Sequence, residues 1–151
     1  MPAPSTRAYD RPSLSWAAAL VVGALAAAAS PVPDLVHHRL DSGLTLLVVP
    51  SRAAPVVAVQ AWVGAGSADE APGHAGVAHL VEHMLFKGTL RRGVGEIAGT
   101  VEAAGGDVNA WTSFDQTVYH AVLGSRDLDV GLDVLADALV ASTFDEDELE
   151  R

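Results

Sequence analysis

The chain has 151 residues, and its 9 Lys plus Arg against 19 Asp plus Glu give a formal net charge of -10. A surface this acidic argues against binding to nucleic acid or to an anionic membrane. The sequence contains no cysteine, so disulfides and thiolate metal sites are excluded, and any bound metal must be held by His and carboxylate side chains.

The first residues, 1–30, have the composition of a signal peptide. Arg7 and Arg11 precede an apolar run over 14–29 that ends in small residues. This order predicts cleavage near Ala29 and an exported protein, periplasmic or secreted. A membrane anchor is the alternative, but the run is shorter than the ~20 residues that a bilayer requires and is mostly alanine. An uncleaved leader would be the expected link to a membrane.

The mature part, residues 31–151, begins with strand signals. Two β-prone runs, 36–40 and 44–49, flank the turn sequence Asp41-Ser42-Gly43 and predict a β-hairpin. A third strand is predicted over 56–63, where β-branched residues and an aromatic residue follow a proline. Several Gly and Pro residues interrupt the next stretch, which predicts a loop.

A helix is predicted to follow this loop. Five apolar residues recur at helical spacing and predict a core-facing stripe: Val77, Leu80, Val81, Met84 and Leu85. His79, Glu82 and His83 lie roughly on the opposite side of the same helix. The stripe can therefore anchor the helix while the opposite side presents polar side chains.

The sequence His79-Leu80-Val81-Glu82-His83 predicts a metal site on that helix. Residues at i, i+3 and i+4 share a helical face, so two imidazoles and one carboxylate point the same way. Two imidazoles one turn apart can supply half of a tetrahedral zinc site, and a neighbouring carboxylate can accept a proton from water. This order, His-x-x-Glu-His, is the inverted zincin signature.

The remaining elements alternate between helices and strands. A helix is predicted over 95–104 with Gly105 as its stop, and strands are predicted over 107–113 and 117–123. A further helix over 126–141 places four leucines on its expected core side: Leu128, Leu132, Leu135 and Leu139.

A last helix begins near Asp145, where the chain is strongly acidic. Glu146, Glu148 and Glu150 are interpreted as a solvated first turn, because carboxylates there favour the helix dipole. Strands and helices in one unit predict an α+β class, with an antiparallel-rich sheet and helices packed on one of its faces.

Two separated blocks carry a resemblance to a known family. The first runs from Trp62 to Glu70 and continues from Gly76 through the histidine motif to Thr89, and the second runs from Gly105 to Tyr119. Both resemble the N-terminal domain of the pitrilysin/insulinase family of inverted zincin metallopeptidases. The resemblance implies a pitrilysin- or mitochondrial-processing-peptidase-like metallohydrolase domain and a zinc-dependent endopeptidase.

The resemblance also implies roles for particular residues. His79 and His83 match the zinc-binding histidines, and Glu82 matches the glutamate that activates water for attack on a peptide carbonyl. Asn109 and Ala110 match an edge strand on which a peptide or unfolded protein substrate pairs by β-augmentation. An ordinary strand with a polar residue at its rim remains the alternative for Asn109 and Ala110.

The sequence departs from the family pattern at the third zinc ligand. A catalytic zinc site needs three protein ligands, and the family's third is a glutamate that would fall beyond Arg151. We therefore expect an incomplete domain, inactive alone, whose substrate chamber is completed by a homologous second domain or subunit. Two alternatives stay open: a non-catalytic structural or interaction homologue, and a short zinc-binding module that folds as such.

Overall fold

The computed structural model describes residues 34–151, so the predicted signal peptide, residues 1–30, lies outside the described residues. A short unit ends at Val49, and a larger unit comprises 50–151. Within these described residues, no helix is both long and apolar enough to cross a membrane.

The short unit contains the predicted hairpin. Strand β1 (Val36–Arg39) pairs antiparallel with strand β2 (Thr45–Val48). Gly43 in the turn has a φ of 90°, a left-handed conformation that glycine adopts without a steric penalty. The turn chemistry read from the sequence therefore gives the connection that is observed.

A three-stranded antiparallel sheet forms the base of the larger unit. Strands β3 (Val56–Val63), β4 (Asp107–Thr112) and β5 (Thr117–Gly124) are arranged in the order β3-β5-β4. Strand β5 is central and largely buried, whereas β4 lies at an edge of the sheet among residues 34–151. All three strands agree with the predicted ones within a residue.

Four helices complete the unit: α1 (Val77–Leu85), α2 (Glu96–Ala103), α3 (Leu128–Ala141) and α4 (Glu146–Leu149). Helices α2 and α3 contact each other and one face of the sheet. Nine buried residues form the core between these elements: Leu85, Ile97, Val101, Tyr119, Ala121, Leu123, Val134, Leu135 and Ala138. The predicted α+β class with helices on one face is confirmed.

The predicted core side of α3 is partly wrong. Leu135 is buried and Leu139 packs against the core, but Leu128 and Leu132 are exposed. The helix instead turns its small residues toward the sheet. A Cβ added to Gly131 would lie only 2.5 Å from Leu123 Cδ1, so the absence of a side chain at this position allows the close approach. A 3₁₀ turn over 125–127 also delays the start of α3 to Leu128.

The predicted apolar stripe of α1 is wrong at three of its five positions. Met84 and Leu85 are buried, but Val77, Leu80 and Val81 are exposed among the residues that the structure describes. Strand β4 packs against a different side of the helix, and that side carries Glu82, which is only 7% exposed. The carboxylate thus belongs to the buried side of the helix.

Glu148 also differs from its predicted solvated position. Its side chain is buried and lies 3.4 Å from Lys87 Nζ, just after the end of α1, and it also pairs with Arg151. Two cations replace the water that an exposed carboxylate would bind. Asp145 caps α4 by accepting hydrogen bonds from the backbone N–H groups of Asp147 and Glu148.

Candidate metal centre

The two imidazoles of α1 point toward one another. His79 Nε2 and His83 Nε2 lie 3.1 Å apart, and both side chains are exposed. Two nitrogens bound at ~2.0–2.1 Å to one tetrahedral zinc ion lie roughly 3.3 Å apart. The separation of the two nitrogens is therefore compatible with two ligand positions around one zinc ion.

Glu82 lies beside these imidazoles in a polar pocket between α1 and β4. Its Oε2 accepts a hydrogen bond from the hydroxyl of Thr112. Thr112 Oγ1 is 3.4 Å from Thr117 Oγ1, and Thr117 donates to the carbonyl of Ala65 at 2.9 Å. The carboxylate is thus held by the strand and not by the helix that carries it. The motif did not reveal Thr112.

The pKa of Tyr119 shows that the environment behind Glu82 is apolar. Burial raises the pKa of Tyr119 to about 12, and the negative charge of Glu82 adds to this effect. Its ring contacts Phe86 in an edge-to-face arrangement with centroids 5.9 Å apart. The phenol therefore stays neutral and forms an apolar wall behind the carboxylate.

Glu70, in the loop before α1, caps that helix. Its Oε2 accepts a 2.9 Å hydrogen bond from the N–H of Gly76, and its Oε1 accepts one of 2.9 Å from Ala78. These bonds, that of Ala78 first, lower the pKa of Glu70. Gly76, at the N-cap position, has no side chain with which to cap the helix. A glycine at this position in the sequence is therefore the signal for a cap that comes from a more distant residue.

The outer edge of β4 carries backbone groups that are not bonded to β5. Ser113 N–H bonds to Gln116 O at 2.8 Å, and hydrogen-bonded pairs alternate along antiparallel strands. Ala110, paired with Tyr119, therefore falls at a position whose N–H and C=O point away from β5. The Ala110 N–H donates at 2.8 Å to the side-chain Oδ1 of Asn109, so this donor is partly masked.

An open cleft of about 580 Å³ joins the edge strand to the helix. His79 and Glu82 line it from α1, Ala110 and Thr112 from β4, and Glu70 from the loop. Ala110 is therefore brought to the predicted metal site, whereas Asn109 is exposed beside it.

A cluster of charges fixes the segment after α1. Asp137 of α3 is almost wholly buried and accepts hydrogen bonds from Thr89 Oγ1 at 2.7 Å, Arg91 Nε at 2.8 Å and Arg92. Burial raises the pKa of Asp137, but these three donors outweigh burial and lower it to about 2. This cluster attaches the segment 89–92 to α3.

The predicted third ligand has no substitute in the described part of the chain. Residues 34–151 contain no group of three or more His, Asp or Glu side chains arranged to hold a metal ion. Glu70 is near the imidazoles, but both of its oxygens already accept backbone hydrogen bonds. The described residues thus bring together two imidazoles that could serve as metal ligands and a neighbouring carboxylate.

Comparison with known proteins identifies the family. The family model of insulinase (peptidase family M16) matches residues 46–151. Among curated relatives, the uncharacterized zinc protease YmxG of Bacillus subtilis is 40% identical over 115 residues, covering 76% of this chain and 28% of that protein. The β subunit of the mitochondrial-processing peptidase of Blastocladiella emersonii is 39% identical over 120 residues, 80% of this chain and 26% of its own.

Solved structures agree with this assignment. A protease from Helicobacter pylori superposes with a TM-score of 0.74 at 34% identity, over 78% of this chain and 28% of that chain. The periplasmic protease PqqL from Escherichia coli gives a TM-score of 0.71 at 33% identity, over 76% and 14%.

The fold and these similarities define a domain of a zinc metallopeptidase class. The chain belongs to the insulinase family, peptidase family M16. It spans about a quarter of the length of the two curated relatives, 28% and 26%.

Proposed function

We propose that this chain forms part of a zinc-dependent endopeptidase in which His79 and His83 bind the metal and Glu82 is the general base. The observation that carries the proposal is the 3.1 Å separation of the two Nε2 atoms, with the buried Glu82 carboxylate on the adjoining side of the helix. Family membership supports it, because relatives are named zinc proteases.

The chain's own residues have distinct tasks in this mechanism. A zinc ion at the site supplies Lewis-acid chemistry, since it polarises a carbonyl and lowers the pKa of water. Glu82 accepts the proton of the attacking water and returns it to the leaving amine. Thr112 fixes the orientation of that carboxylate through its hydrogen bond.

The proposed substrate is a peptide or unfolded protein in extended form. The outward N–H and C=O of Ala110 would pair with the peptide backbone, and Asn109 would move its side chain from the Ala110 N–H as the peptide binds. Backbone pairing tolerates many side chains, so this binding mode fits a peptidase that accepts substrates of many sequences.

We further propose that residues outside 34–151 complete the metal site and the substrate chamber, and that this chain alone is inactive. The described residues provide two nitrogen ligands where a catalytic zinc site uses three protein ligands. One relative is named as a subunit, and one solved structure is the first half of PqqL, which supports a homologous second domain or subunit as the partner.

Export to the periplasm or beyond is proposed from the predicted signal peptide, residues 1–30. The similar Escherichia coli protease is periplasmic. Mass determination of the protein recovered from its native host tests the proposal, because removal of the leader shortens the chain to begin near Ser30. A recovered chain that still begins at Met1 would contradict it.

The test of the peptidase proposal uses the complete gene product, including any residues that the reading frame encodes after Arg151. Glu82→Gln should retain bound zinc but lose hydrolysis of an internally quenched unfolded peptide by at least about a hundredfold. Turnover equal to that of the wild type would remove Glu82 from the mechanism. Zinc retained without any hydrolysis in the wild type would favour the non-catalytic homologue.

A further inference from the structure

The loop between β3 and α1 is fixed to the end of the edge strand. The backbone N–H groups of Ser67 and Ala68 donate to the carbonyls of Ser113 and Phe114 at 3.0 and 2.7 Å. A Cβ on Gly66 would lie 2.5 Å from Ser113 O, so only glycine fits this approach. The start of the loop therefore cannot move independently of β4.

Glu70 fixes the other end of the loop to the first turn of α1. Its two carboxylate oxygens each accept one backbone N–H, from Gly76 and Ala78. Gly76 has a φ of 95° and no capping side chain, so two of the first N–H groups of the helix depend on this distant carboxylate. The negative charge of Glu70 also interacts favourably with the positive end of the helix dipole.

His79 follows Ala78 directly, and its place relative to His83 depends on that first turn being helical. If the turn frays, the i and i+4 relation is lost, and metal binding must first restore it. Glu70 is not available as a ligand itself while both of its oxygens bind the backbone. Its effect on a bound metal therefore passes through the helix.

We propose that Glu70 is a positioning residue for the metal site: by capping α1 from the preceding loop, it holds His79 in register with His83 and ties both to the edge strand. This rests on the proposed function in taking the two imidazoles as metal ligands. The loop thus sets the distance between the metal ligands and the strand along which the peptide is proposed to lie.

The test measures metal affinity in the untagged 151-residue chain. Imidazole nitrogen is a ligand for Ni²⁺ as well as Zn²⁺, so each ion is titrated calorimetrically, and His79→Ala gives the background from other histidines. Glu70→Ala should weaken binding about three- to thirtyfold, the range that corresponds to loss of a helix cap. Glu70→Gln keeps the shape and one acceptor, and it should fall between the wild type and Glu70→Ala.

The matched control is Asp145→Ala, which removes a carboxylate that caps α4 by accepting two backbone N–H groups in the same way. It should leave both metal affinities unchanged. Hydrogen exchange at the Gly76 and Ala78 amides, followed by NMR without metal, should accelerate in both Glu70 variants and not in the control. A general loss of stability would not produce this local pattern.

The outcomes separate the two proposals. If the wild type binds no better than His79→Ala, the two imidazoles do not chelate a metal in this chain, and the positioning role is overturned with the paired site on which it rests. If the wild type binds the metal, and both Glu70→Gln and Glu70→Ala bind it as tightly as the wild type does, the positioning role is overturned while the metal site stands. Equal weakening by Asp145→Ala would also overturn it, and Glu70→Gln decides the matter if Glu70→Ala does not fold.

Discussion

Thr112 on β4 donates a hydrogen bond to the carboxylate of Glu82 on α1. This contact joins the exposed edge of the sheet to the helix that carries the two imidazoles. A single hydroxyl therefore relates the position of a proposed general base to the strand on which a substrate would lie.

Thr112→Val should lower the free energy of unfolding by about 1–3 kcal/mol, because it leaves a buried carboxylate oxygen without its donor. Urea denaturation measures this difference. Thr112→Ser keeps the hydroxyl and should stay close to the wild type. Equal midpoints for the wild type and Thr112→Val would show that the hydrogen bond contributes nothing to stability.

Replacement of either imidazole should abolish chelation. His83→Ala should weaken Ni²⁺ binding by more than about tenfold, because the remaining imidazole binds the metal through one nitrogen and cannot chelate it. Both side chains are exposed, so the fold should persist. His74→Ala, an exposed loop histidine outside the motif, is the control. A comparable loss in that variant would assign the metal to other histidines.

Ala110→Pro should preserve the sheet but weaken peptide binding. The Ala110 N–H points away from β5, so proline removes a donor that the ladder does not use. Binding of a labelled unfolded peptide to the Glu82→Gln protein, followed by fluorescence anisotropy, should weaken about two- to tenfold, the value of one hydrogen bond. Ala110→Ser retains the N–H and serves as the control; unaltered binding by the proline variant would argue against pairing at this edge.

Acid should destabilise the fold through Asp137. Its folded-state pKa of about 2 lies below the ordinary value of 3.8, so its ionised form stabilises the folded state. That contribution is complete above the ordinary pKa and is lost as the pH falls through about 2. Urea midpoints from about pH 5 to about pH 2 should therefore fall less steeply in Asp137→Asn. Asp129→Asn, an exposed position on the same helix, should retain the wild-type slope.

Gly131→Ala should destabilise the protein by about 1–3 kcal/mol, since its methyl group would enter the space of Leu123 and force α3 away from the sheet. Gly99, in α2, has open space at its Cβ position. Gly99→Ala should therefore stabilise by about 0.5–1 kcal/mol through helix propensity. Thermal unfolding of both variants compares the two positions, and equal shifts in the same direction would contradict the packing argument.

Local patterns were sufficient to predict the strands and the approximate positions of the helices. Alternation and turn chemistry gave β1 to β5, and Gly105, with a φ of 75°, ends the α2 segment where the sequence indicated. Such signals depend on neighbours along the chain, so they can be read from the sequence without knowledge of the tertiary contacts.

The facing of the helices could not be predicted in the same way. Hydrophobic spacing placed Leu132 and Leu80 inside, yet close packing of Gly131 against Leu123 rotates α3, and the contact of Glu82 with Thr112 fixes another side of α1. Both outcomes depend on residues distant in sequence. The motif predicted His79, Glu82 and His83 as the site residues, whereas Thr112, which bonds to Glu82, lies on another element.

The outer edge of β4 has a consequence beyond peptide pairing. Among residues 34–151 no strand covers it, and bare edges can recruit the same strand of another molecule. The formal charge of -10 keeps copies apart, but at physiological ionic strength salt screens that repulsion beyond a Debye length of about 8 Å. Concentrated protein should therefore self-associate more readily as salt is added, with Asn109 masking one of the donors that would start the process.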